Sequence, residues 1–229
     1  MQEILSLKNK RAARIYFSTF FITKRTFIYI CFQMRTRDDN KIQAIRQKAV
    51  EMIVKQGFDG FSMQKLAKAA SVSPATLYIY YKDREDLIMQ LWGESFKEMA
   101  GATLKNFDPG MSFSEGLRIQ WMNRAKFCLK NPQQMQFMEQ LRHSPLQEKA
   151  LDMMGAGFKN AMKAFVSNAI KRNELVKVQV EVYWSIAFAP LYGLIKFHQE
   201  GKNMGGEKFA LTEKVMNEKL ALVIKALTP

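Results

Sequence analysis

From residue 42 onward the apolar positions recur at helical spacing, and capping residues mark where each run begins and ends. Ile42, Ile45, Ala49, Met52 and Ile53 form one stripe. The pattern predicts an amphipathic helix opened by Asp38, Asp39 or Asn40 and stopped at Gly57, where a left-handed C-cap is cheap. Phe58 and Phe61 flank an Asp59-Gly60 turn. Ser62 then caps a short helix over 63–70, with Leu66, Ala67 and Ala70 on its inner face. Ser71-Val72 interrupts that helix, and Ser73-Pro74 starts another: the serine is the cap, and the proline takes the first helical position, where a missing N–H costs nothing. This helix runs to about residue 81. Asp83, with Asp86 three residues on, caps a longer one.

Beyond a loop at Phe107-Asp108-Pro109-Gly110 the whole chain reads as helix. The runs cover 114–130, 132–141, 145–172, 178–200 and 212–226. The run over 178–200 is apolar almost all round, which predicts a helix buried between others, and Pro190 should kink it and free the carbonyl of Ile186. The last run puts Met216, Leu220, Val223, Ile224 and Leu227 on one stripe. No alternation of useful length suggests a strand, so the fold class is all-α. The last two helices of each subunit are expected to pair about a two-fold axis, making a homodimer.

Composition narrows the function classes. Among the 229 residues, 48% are hydrophobic and 24% charged, which suits a soluble globular protein. No long apolar run escapes interruption by charge, so no membrane-spanning partner is expected. Two cysteines, Cys31 and Cys128, make no disulfide framework. With only His143 and His198 beside them, they make no familiar zinc site, and a reduced cytoplasm is the expected setting. Neither metal nor cofactor is expected. Gly155-Ala156-Gly157 lacks the preceding strand and final glycine of a dinucleotide fingerprint, so close helix packing is the expected reason for it. No nucleophile, base or phosphate-loop motif is present, which argues against an enzyme.

The net charge of +14 favours a polyanionic partner. Its distribution does not locate a binding face, because the excess is spread along the chain. Residues 1–33 hold six basic and one acidic residue without any clean periodicity. They are expected to lie outside the working fold, with a basic membrane-surface anchor as the rival reading.

Chemistry concentrates between 57 and 87. Two short helices joined by a tight turn make sense only when packed steeply on a third, and Ala67 is small enough to let their axes approach. Leu66, Val72 and Leu77 fix the angle. The second helix leaves Ser73, Ala75, Thr76, Tyr78, Ile79 and Tyr80 for an outer surface, with Lys82 and Arg84 just beyond. Small residues permit close approach to a groove, hydroxyls bond phosphates or base edges, Ile79 suits a thymine methyl, and the two cations suit phosphates. A purely structural helix pair would also use alanine at the crossing.

The stretch GFDGFSMQKLAKAASVSPATLYIYYKDREDL, residues 57–87, closely resembles the helix-turn-helix of TetR-type transcriptional regulators. The resemblance is carried by Phe61-Ser62, Leu66-Ala67, Val72-Ser73, Thr76-Leu77-Tyr78, Tyr81-Lys82 and Glu85-Asp86-Leu87. It implies a DNA-binding domain over 34–82 and a helical effector-binding and dimerisation domain over 83–229. It also implies a double-stranded operator read by Ser73, Pro74, Ala75, Thr76, Tyr78, Ile79 and Tyr80. Ser62, Gln64, Lys82 and Arg84 fall on backbone-contacting or neighbouring positions. The chain departs from the family at Ser71, where glycine is usual and whose replacement implies modest strain, and at Tyr80, where histidine is common.

Repression relieved by a small apolar or amphipathic effector is the mode this implies; a constitutive DNA-binding dimer without effector is the alternative. The adaptable Met and aromatic residues Trp121, Met122, Phe137, Met138, Met153, Met154, Phe158, Trp184, Phe188 and Tyr192 are the candidates for lining an effector pocket. Ordinary core packing is the competing role for each.

Overall fold

Serine, threonine and aspartate caps set five of the ten helix starts from Met63 onward. The computed structural model describes residues 39–229; the expectations for residues 1–33 and for Asp38 as a helix cap lie outside this range. Helix α1 covers residues 39–60, with Gly57 in the left-handed region at φ +71° and one further helical turn after it. Helix α2 (Met63–Ala69) is capped by Ser62, whose hydroxyl accepts from the Lys65 N–H. Ser73 caps α3 (Pro74–Tyr80) through the Thr76 N–H at 3.1 Å, with Pro74 in the first turn. Asp83 caps α4 (Arg84–Thr103) through the Asp86 N–H, and Asp86 in turn accepts from the Lys82 N–H.

The turn between α2 and α3 shows what replacing glycine does. Val72 N–H bonds the Ala67 carbonyl at 2.9 Å and Ser71 N–H bonds the Lys68 carbonyl at 3.2 Å. This pair of bonds closes a helix only if the residue between adopts left-handed geometry, and Ser71 does so at φ +54°. A side chain there carries strain that glycine would not. Ser71→Gly should therefore raise stability by about 0.5–1 kcal/mol, read as a higher urea midpoint at unchanged slope; a lower midpoint would show the serine to be unstrained.

The remaining helices are α5 (Phe113–Lys130), α6 (Pro132–Arg142), α7 (Gln147–Asp152), α8 (Ala156–Lys171), α9 (Val180–Ala187), α10 (Ala189–Glu200) and α11 (Glu213–Leu227). Among the described residues the only β feature is an isolated bridge between Lys202 and Lys208, and the fold is all-helical. Two long expected helices are each broken. The run over 145–172 divides at Met153–Gly155, because Gly155 leaves helical geometry to become the N-cap of α8. A Cβ on Gly155 or Gly157 would meet no atom within 4 Å, so close packing is not what these glycines serve. Close approach occurs instead at Gly116, where a Cβ would collide with the Phe165 ring.

The run over 178–200 breaks outright rather than kinking. Pro190 sits in the first turn of α10, and Phe188 leaves helical geometry at φ −126°. The break releases the carbonyl of Ala187, which accepts the Trp121 indole N–H at 2.7 Å. Nor is this stretch buried all round: Val178, Val180 and Val182 are exposed.

Two apolar cores result. One joins α1–α4 to α6 and α7 through residues such as Ile45, Ile53, Leu66, Leu77, Leu87, Phe137, Leu141 and Ala150. It runs without interruption across the boundary expected at 82/83. The other packs α5, α8, α9, α10 and α11 around Leu117, Trp121, Phe165, Leu191, Leu220 and Leu227. Met135, on α6, touches both.

Candidate nucleic-acid interface and effector cavity

Leu77 is fully buried in the core that α3 shares with α1, α2 and α4, which turns the opposite face of α3 outward. Tyr78 and Ile79 are 55% and 75% exposed, adjacent on the outer face of the helix. Ser73, Pro74 and Ala75 are exposed beside them, and Thr76 and Tyr80 are partly so. The Ser73 and Thr76 hydroxyls lie 2.9 Å apart and bond each other, so they present one fixed polar edge at the start of the helix. Gln64 on α2 and Lys82 after α3 are also exposed, while Ser62 is half-buried. The arrangement offers a short helix with a small N-terminus, flanked by a donor and a cation, for insertion into a groove.

Arg84, expected at a backbone-contacting or neighbouring position, is engaged within the fold. Its guanidinium turns inward, donating from Nε to the Phe61 carbonyl at 3.1 Å and from Nη2 to the Phe58 carbonyl. It also lies over the Phe61 ring at 5.9 Å. Those carbonyls sit in the last turn of α1 and the connection that follows it, so the arginine clasps α4 to both. Arg46 makes a second tie. Its Nη2 pairs with Glu94 on α4 at 2.6 Å and its Nε donates to the Tyr81 hydroxyl at 3.3 Å. Burial raises the Tyr81 phenol and the Glu94 carboxyl above their usual values. These contacts tie the C-terminal end of α3, α1 and α4 into one packed block.

Behind this block lies a cavity of about 890 Å³. Met138, Met154, Phe158, Trp184 and Tyr192 line it as the residue types suggested; Trp121, Met122, Phe137 and Phe188 do not. Trp121 and Phe137 are fully buried in the two cores, and Phe188 packs beneath Arg124 with its ring 4.5 Å from the guanidinium carbon. Met153 is exposed. The wall also takes in Trp92, Phe96 and Met99 from α4, Arg124 and Cys128 from α5, and Met135, Leu141 and Arg142 from α6. Burial raises the Cys128 thiol to about 11, keeping it protonated and inert.

Arg124 is the residue that sequence reasoning missed, and a signal existed. Leu117, Trp121, Arg124 and Cys128 fall on one helical stripe of α5, so the arginine occupies an apolar position. It is only 6% exposed.

Helix α6 joins the two sites. Met138, Leu141 and Arg142 face the cavity, while Phe137 meets Phe58 with ring centroids 6.5 Å apart and Gln140 donates to the Val54 carbonyl at 3.1 Å. Both contacts are made to α1 or the connection that follows it. His143, the C-cap of α6, is exposed and bonded to Glu139.

The sequence matches the family model described as bacterial regulatory proteins of the tetR family over residues 45–91. A TetR family transcription regulator from Marinobacter aquaeolei VT8 superposes with a TM-score of 0.68 at 30% identity, over 84% of this chain and 98% of that one. An HTH-type transcriptional regulator of Haemophilus influenzae is 29% identical over 112 residues, and the match spans 60% of that curated relative's length. The fold is shared with Bacillus subtilis FadR in complex with stearoyl-CoA, at TM-score 0.63 and 20% identity over 80% of this chain and 97% of that one. With a helix-turn-helix exposed on one core and a helical domain behind it, the chain belongs to the TetR family of DNA-binding transcriptional regulators, which are not enzymes.

Proposed function

We propose that this regulator is a cytoplasmic repressor. It acts as a homodimer on a roughly palindromic operator and is released by a small apolar or amphipathic effector held in the cavity. The observation that carries the reading is the double duty of α6: one side of it is cavity wall and the other grips α1. An effector that displaces α6 changes the placement of the recognition helix, and a second subunit converts that change into a change of spacing between half-sites. The FadR relative, bound to stearoyl-CoA, supports a ligand with a long apolar part. Dimerisation is supported by the exposed Val180, Val182 and Leu222 on the packed pair α9 and α11, an apolar face suited to an isologous partner.

Within the interface, Ser73, Pro74, Ala75, Thr76, Tyr78, Ile79 and Tyr80 meet bases and adjacent sugars, while Ser62, Gln64 and Lys82 meet the phosphate backbone. The experiment is salt-dependent binding to operator and to random duplex. Lys82→Ala should weaken both and flatten the salt slope by about one unit. Thr76→Ala or Tyr78→Ala should cost about 1–3 kcal/mol on the operator and much less on random DNA. Arg84→Ala should lower the melting temperature and leave the salt slope unchanged, because its charge is spent on carbonyls. Equal losses on both DNAs for Lys82, Thr76 and Tyr78 variants would refute the division. A thermal-shift screen that finds no stabilising small molecule would favour the constitutive reading instead.

A further inference from the structure

A guanidinium keeps its charge at any ordinary pH and offers only donors. Inside a protein such a group is normally matched by a carboxylate, because an uncompensated buried charge is costly. Arg124 has no such match among the described residues. Its Nη1 donates to the Tyr192 hydroxyl at 2.9 Å and lies 3.9 Å from the Met99 sulfur. Its plane rests 4.5 Å from the centre of the Phe188 ring and 6.0 Å from that of Phe158. Its Nε–H is buried with no hydrogen-bond partner. The other charges lining the cavity are paired with each other: Arg142 with Glu139 at 3.5 Å, and Lys196 with Glu200 at 3.9 Å. The surroundings of Arg124 are aromatic rings and thioethers, which supply polarisability but no negative charge.

We infer that the effector is an acid with a long apolar tail, whose carboxylate docks on Arg124 and the Tyr192 hydroxyl while its tail lies among Trp92, Phe96, Met138 and Met154. The inference rests on the cavity being the effector site. The unpartnered Nε–H, on a charged side chain that lines the cavity, gives a carboxylate a charge-assisted donor. The tyrosine hydroxyl, already accepting from Nη1, can donate its own proton to the same carboxylate. The methionines and aromatic rings around them accommodate an unbranched chain of variable length.

The test uses dodecanoic acid, dodecan-1-ol and methyl dodecanoate as probes on the full-length protein. Methyl dodecanoate presents the uncharged acyl end that a thioester would. Binding is read from the fluorescence of Trp92 and Trp184, and release from operator is read in parallel. The acid should bind at least about tenfold more tightly than either neutral probe. Arg124→Met, which keeps the volume and removes the charge, should bring the three probes to within about threefold of one another, chiefly by weakening the acid. Tyr192→Phe should reduce the preference without abolishing it. If the wild-type protein binds alcohol and acid equally, the acid inference falls while the cavity reading stands, and that comparison needs no variant to fold. Retention of the preference in Arg124→Met would equally overturn it. If none of the probes binds or releases operator, the apolar-effector reading falls and the acid inference falls with it.

Discussion

Trp121→Ala should unfold the C-terminal half of the protein, not blunt its response to effector. The indole is fully buried in the core built by α5, α8, α9, α10 and α11. Emptying such a site costs about 3–5 kcal/mol from lost burial and the cavity left behind. A second cost comes from the backbone. The Ala187 carbonyl is freed by the helix break before Pro190 and accepts the indole N–H, and stranding it adds about 1–3 kcal/mol. Together these approach the whole stability of an ordinary domain, about 5–15 kcal/mol. The measurement is denaturant unfolding followed by circular dichroism. Trp121→Phe should retain much of the packing and lose mainly the hydrogen bond, placing its midpoint between the other two proteins. Trp184→Ala makes the contrast: that ring is half-buried in the cavity wall, stacked 6.1 Å from Tyr192 and 5.1 Å from the Arg142 guanidinium. Its loss should leave the fold largely intact and impair effector response. A Trp121→Ala protein as stable as wild type would show that the indole is not a structural pin.

The difference between these two tryptophans explains what was legible in the sequence. The DNA-binding end was readable because its elements are punctuated by residues with a single local job: Ser62, Ser73 and Asp83 as caps and Pro74 in a first turn; Gly57 has the expected positive φ, yet α1 runs one turn past it. Local chemistry decides those positions, so local reading finds them. The strained turn at Ser71 was equally visible, because the left-handed geometry is a property of the motif rather than of distant contacts.

The cavity is decided by distant contacts, and there the sequence is ambiguous. Met138 and Phe137 are neighbours on α6, yet only the first lines the cavity; the second is sealed against Phe58. Both residue types serve core and pocket alike, so no rule of composition separates them. The two broken helices depended on whether Gly155 and Pro190 end a helix or merely bend it, which the packing of neighbouring helices determines. Arg84 shows the same limit for charge. An arginine at the edge of a DNA-binding helix reads as a phosphate ligand, and only the positions of the Phe58 and Phe61 carbonyls reveal that it is already engaged.

Phe137→Ala should have the second large effect, and its consequences separate stability from signalling. The ring is fully buried in the core shared by α1–α4, α6 and α7, so its removal should cost about 3–5 kcal/mol. Unlike the Trp121 cavity, this one opens at the joint between α6 and the α1 block, and the DNA-binding unit should become the less stable part. Phe137→Leu combined with Gln140→Ala is the milder probe. It preserves an apolar filler, yet removes both the ring contact to Phe58 and the bond to the Val54 carbonyl. On the proposed mechanism a switch of tenfold to a hundredfold corresponds to about 1.4–2.8 kcal/mol of coupling between effector and operator, and each must weaken the other by the same factor. The double variant should still bind operator and effector separately, while the coupling falls to within about threefold of none. Calorimetric titration of the effector with and without operator measures the factor directly. Full coupling in a well-folded double variant would mean that the signal travels along α4 rather than through α6.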